Sequence, residues 1–73
     1  MRPSGQVKRS VSLAGHATSL ALEPEFWAVL EREAQNAGSS LAAFVALIDG
    51  ARGARPLASA LRIHALAAAG RAS

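Results

Sequence analysis

The hydrophobic pattern changes period along the chain, and the changes mark out the elements. Between Lys8 and Ala14 the apolar residues Val11 and Leu13 are two apart, with Ser10 and Ser12 interleaved. Between Thr18 and Leu22 the same spacing returns in Leu20 and Leu22, interleaved with Ser19 and Ala21. Both stretches read as half-buried strands. The first set is odd-numbered and the second even-numbered, so one straight strand cannot place both on one face. Gly15 is the natural point for the change of phase. One solution is a hairpin with Gly15-His16 at the centre of a type II′ turn. Leu13 then faces Thr18 and Val11 faces Leu20, while Ser12–Ser19 and Ser10–Ala21 line the other side. The second solution is a glycine bulge in one long strand.

After Leu22 the period becomes helical. Glu23-Pro24-Glu25 reads as a helix start, because proline loses nothing in a first turn and carboxylates suit the positive end of the helix dipole. Phe26, Leu30, Ala34 and Ala37 form the apolar stripe of a helix over about Pro24 to Ala37, flanked by Trp27, with Glu31 and Glu33 outward. Gly38 supplies a left-handed residue after the helix, and Ser39 or Ser40 caps the next one. That second helix carries Leu41, Phe44, Val45 and Ile48 at i, i+3, i+4 and i+7. Gly50 to Pro56 reads as a loop, followed by a third helix from about Leu57 to Ala69 that frays at Gly70. The expected organisation is a flexible tail over 1–7, one folded domain over 8–69 and a flexible tail over 70–73.

Size and charge narrow the function. A chain of 73 residues buries only about 60% of its unfolded surface and is marginal alone. It has no cysteine, hence no disulfide or thiolate metal site, which makes oligomerisation the natural extra source of stability. The net charge of +3 is uneven. Residues 1–22 hold Arg2, Lys8 and Arg9 without an acid. Residues 23–49 hold Glu23, Glu25, Glu31, Glu33 and Asp49 against Arg32. Residues 50–73 hold Arg52, Arg55, Arg62 and Arg71 without an acid. Basic ends suit nucleic acid or an anionic surface, and also simple solubility. No targeting or spanning segment is evident: Leu57 to Ala69 is apolar, but Arg62 and His64 interrupt it, and a span needs roughly 20 residues. A cytoplasmic protein is the expectation.

Catalytic chemistry is not expected. No nucleophile elbow, metalloprotease spacing or phosphate loop is present. His16 and His64 lie far apart, so no metal or other cofactor is expected. His64 reads as a half-buried or interface residue of the third helix, and His16 as a turn residue.

The strand entering a helix at Thr18–Trp27, followed by turn and helix to about Ala51, resembles the ribbon-helix-helix family of small dimeric DNA-binding proteins. The string Gly15-His16-Ala17-Thr18-Ser19, with Leu61-Arg62 downstream, is similar to a bacterial subgroup with an extended N-terminus and a third helix. The resemblance implies a mainly α fold, an antiparallel ribbon or hairpin plus three helices, and an intertwined homodimer. Two protomers would each give one strand to a ribbon that enters the major groove of duplex DNA. The reading face would be Ala17, Ser19 and Ala21, opposite Leu20 and Leu22. Ser39 and Ser40, at the N-terminus of the second helix, would meet a phosphate. If the hairpin forms, an extra strand would flank each ribbon strand and widen it, and Lys8, Arg9 and Arg2 would then reach further phosphates; His16 would bond the strand backbone or, when protonated, a phosphate. Leu20, Leu22, Trp27, Phe44, Val45 and Ile48 would form the dimer interface. The sequence departs from the family where two alanines and a serine replace the long polar side chains that discriminate bases. The expected function is therefore a DNA-binding transcriptional regulator or antitoxin-like repressor. The alternative is a dimerisation or protein-interaction module with little sequence reading.

Overall fold

The computed structural model describes residues 5–72. Arg2 and the rest of the expected tail over 1–4, together with Ser73, lie outside those residues. The described chain runs β1 (Val7–Leu13), β2 (His16–Leu22), α1 (Pro24–Asn36), α2 (Leu41–Ala51) and α3 (Leu57–Ala72).

β1 and β2 form a two-stranded antiparallel hairpin, not a bulged single strand. Its turn is Ala14-Gly15, one residue earlier than the expected Gly15-His16. Both residues are left-handed, at φ 52° and 83°, which makes the turn type I′. Glycine occupies the second central position, and His16 becomes the first residue of β2 opposite Leu13. The pairing therefore slides by two residues: Val11 faces Thr18, not Leu20, and Ser12 faces Ala17. A slide of two leaves every side chain on its expected face, and it lets each strand pair over its whole length.

One face of the hairpin carries Val11, Leu13, Leu20 and Leu22, all buried. The three helices cover it. α1 buries Trp27, Leu30 and Ala34, so its stripe is rotated from the expected one. Phe26 is only half-buried and Ala37 is the exposed cap residue. Trp27 takes the central place because its indole N–H donates to the Val7 carbonyl at 2.8 Å, which fastens the helix to β1. α1 ends in a Schellman motif: Ser39 N–H reaches the Ala34 carbonyl at 2.9 Å and Gly38 N–H the Gln35 carbonyl at 3.0 Å, with Gly38 at φ 72°.

Ser40, not Ser39, caps α2, its hydroxyl accepting from the Ala43 N–H at 3.1 Å. α2 buries Phe44 and Val45 and runs through Gly50 to Ala51, which shortens the expected loop to 52–56. α3 buries Ala60, Leu61, Ala65 and Ala68 and continues through Gly70 to Ala72. Its alanines let it lie close to the other helices. Leu20, Leu22, Trp27, Phe44 and Val45, expected at a dimer interface, are already buried within one chain, and Ile48 is half-buried.

Ala14 is the one non-glycine residue with positive φ among the described residues. An L-residue with a Cβ pays about 1 kcal/mol there, less for asparagine. Ala14→Asn should raise stability by roughly 0.5–1 kcal/mol, read as a higher urea midpoint at unchanged m-value. A midpoint lowered by this substitution would contradict the turn geometry.

Candidate nucleic-acid interface

The outer face of the hairpin follows from its register. Lys8, Ser10 and Ser12 of β1 stand beside Ala21, Ser19 and Ala17 of β2, pair by pair. Ala21 is half-buried and the others are exposed. The face is therefore a strip of hydroxyls and methyls with one cation and no acid. Of the expected reading and phosphate residues, the hairpin brings Lys8, Ala17, Ser19 and Ala21 together here.

Arg9 is placed differently. As an odd-numbered β1 residue it shares the face of Val11 and Leu13. Its guanidinium lies 4.9 Å from the centroid of the Trp27 ring and its Nη1 sits 2.9 Å from the Glu31 carboxylate. It closes the edge of the core over an aromatic face, while Lys8 supplies the charge on the outer strip. His16 is exposed at the turn end of β2 and belongs to the Leu13 face by register.

Ser39 and Ser40 stand at the start of α2. The Ser39 hydroxyl donates to the Ser40 carbonyl at 3.2 Å, and both serines line a shallow recess with Glu31, Ala34, Gln35 and Leu41. A carboxylate in such a recess opposes an anion. Its ion pair with Arg9 makes the recess less hostile to phosphate.

A second polar contact holds the hairpin to the helices. Glu23, between β2 and α1, accepts from Arg62 Nε of α3 at 3.1 Å and from the Gln6 amide at 3.4 Å. A hydrogen bond from its own backbone and the bond from Arg62 hold the carboxyl below the usual glutamate range, and slight desolvation opposes them. Sequence reading took Glu23 as a helix-start carboxylate and missed this pairing, since the partners are 39 residues apart. Leu61, next to Arg62 on α3, is fully buried.

No described helix is long and apolar enough to cross a membrane. The chain matches the ribbon-helix-helix domain model over residues 6–69 and belongs to that family. Domains of this family are generally DNA-binding regulatory modules that form dimers. No curated protein and no solved structure matches the chain. β1 and β2 of one chain pair as a hairpin, which supplies the extra strand expected beside the ribbon strand.

Because the native carboxyl of Glu23 titrates below the unfolded one, its contribution is present above about pH 4.3, the ordinary glutamate value, and is lost as pH falls through the lowered native value. Glu23→Gln should leave a stability profile that declines less between pH 5 and the acid limb than the parent, measured by urea midpoints. A parallel decline in both proteins would show that Arg62 does not favour the charged form.

Proposed function

We propose that this chain binds duplex DNA by laying the outer face of its hairpin in the major groove, as a regulator of transcription. The observation that carries the reading is the strip itself: two strands wide, exposed, acid-free and charged by Lys8. A two-stranded ribbon is a shape the major groove admits. The family scaffold supports the same use. Serine hydroxyls can make single hydrogen bonds to base edges and alanines can touch a thymine methyl, but neither grips a base with two bonds. Affinity then comes mainly from phosphates, and sequence preference is weak.

A second reading, a protein-interaction module that has kept the scaffold, is favoured by the small side chains of Ala17, Ser19 and Ala21. It expects no binding to duplex DNA even at low salt.

Titration of a labelled random-sequence duplex across a salt series separates the two. With Lys8 as the free cation of the strip and Arg9 committed to Glu31, two copies should give a slope of log K against log salt of about −2. Lys8→Ala should weaken binding to all sequences alike and flatten that slope. Arg9→Ala should lower stability more than it changes the slope. Ala17→Arg places a guanidinium on the exposed strip and should add a preference for guanine of roughly 1–3 kcal/mol. Absence of binding at low salt would leave the interaction module standing.

A further inference from the structure

Arg9 follows Lys8 in β1 but turns to the helices. Its guanidinium lies 4.9 Å from the Trp27 ring centroid, and its Nη1 meets the Glu31 carboxylate at 2.9 Å. Glu31 is the one acid that meets Arg9 among the described residues. Trp27 in turn bonds the Val7 carbonyl at 2.8 Å, so the pair stands where β1 meets α1, at a flank of the hairpin. Both side chains stay open to solvent, at 38% for Arg9 and 47% for Glu31. An ion pair this exposed contributes little to stability. Closing the core edge takes only the stem of Arg9 and its contact with the ring. Neither requires an acid at position 31.

Glu31 has a second neighbourhood. It lines the shallow recess before α2 together with Gln35, Ser39 and Ser40. The serines and the first N–H groups of α2 suit an anion, whereas a carboxylate in the wall opposes one. Glu31 thus works against phosphate twice: it occupies N–H groups of Arg9, and it sets a negative charge in the recess.

We propose that Glu31 is an electrostatic brake on phosphate binding, withholding Arg9 from DNA-backbone phosphates and repelling them from the recess. This rests on the DNA-binding reading above and adds the residue that limits its affinity. A ribbon lying in the major groove has phosphates along both flanks, and Arg9 stands at a flank. Carboxylate and phosphate oxygens compete for the same guanidinium N–H groups, so a phosphate must displace Glu31 to reach Arg9. Like charges brought together oppose it further. The outer strip gives such a brake a use. Ala17, Ser19 and Ala21 offer no two-bond grip on a base, so each freed cation would tighten binding to every sequence alike. A repulsive element holds that common term down and preserves the discrimination that single hydrogen bonds and methyl contacts provide.

The competing account is that Glu31 only fixes Arg9 over Trp27. It expects Glu31→Gln to lower stability and to leave phosphate binding unchanged or weaker.

The test compares the parent with Glu31→Gln in titrations of a random-sequence duplex and, separately, of inorganic polyphosphate, each across a salt series. Glu31→Gln should keep the far-UV dichroism and bind the duplex about tenfold more tightly at about 0.1 M salt. The slope of log K against log salt should steepen from about −2 to about −4 for two copies. Glu25→Gln makes the same charge change in the first turn of α1 and should give less than half of that gain. Adding Arg9→Gln to Glu31→Gln should return the slope to about −2. Polyphosphate presents phosphates without a groove and should rank the proteins in the same order. Duplex binding by the parent with no gain in Glu31→Gln, or with an equal gain in Glu25→Gln, would overturn the brake and leave the DNA-binding reading intact. Tighter polyphosphate binding by Glu31→Gln, with the duplex ignored by both proteins, would support the brake and sink the DNA-binding reading. Failure of both proteins to bind either polyanion would overturn both.

Discussion

The structure depends on a two-residue turn. Ala14 and Gly15 both lie in the left-handed region, and a loop of two such residues twists in the sense that paired strands require. It sets an odd–even pairing along the hairpin. Val11 and Leu13 consequently join Leu20 and Leu22 on one face, and the serines and alanines join Lys8 on the other. With any odd shift of register the leucines would face water and the serines the helices. The three helices can cover the sheet because the turn has sorted its side chains first.

Three contacts convert that sorted hairpin into part of the helical core. Trp27 bonds the Val7 carbonyl, Arg9 spans from the Trp27 ring to Glu31, and Arg62 reaches Glu23 where the hairpin passes into α1. The two ion pairs are partly exposed, so each adds little by itself; their role is geometric, holding strand to helix. They also use up cations. An arginine adjacent to Lys8 in sequence is withdrawn from the outer strip simply because side chains alternate along a strand. The outer strip is left with Lys8 as its one cation.

Much of this was legible in the sequence because it rests on local chemistry. The opposed phases of Val11/Leu13 and Leu20/Leu22 required a reversal near Gly15. Pro24 marked the start of α1, Gly38 its end, and the Leu41–Ile48 spacing the second helix. The turn escaped by one residue because both placements of glycine sort the faces identically, and only the full pairing of the strands separates them. Trp27 was placed at the flank because periodicity does not weigh its hydrogen bond to a strand 20 residues earlier. The roles of Arg9 and Arg62 depended on partners brought near by tertiary folding, which no spacing rule reaches. The hairpin strand β1 was legible from the phase change alone, whereas how strands pair between protomers came only from resemblance.

The central claim is that one chain supplies both strands of its ribbon. An isotope-filtered NOE experiment on an equal mixture of labelled and unlabelled protein tests it most directly. Contacts between the Cα protons of non-bonded partners Ser10 and Ser19, and of Ser12 and Ala17, should appear only within a labelled chain and vanish from the spectrum selected for contacts between chains. The same cross-strand contacts appearing between labelled and unlabelled molecules would show a ribbon shared by two protomers and contradict the account.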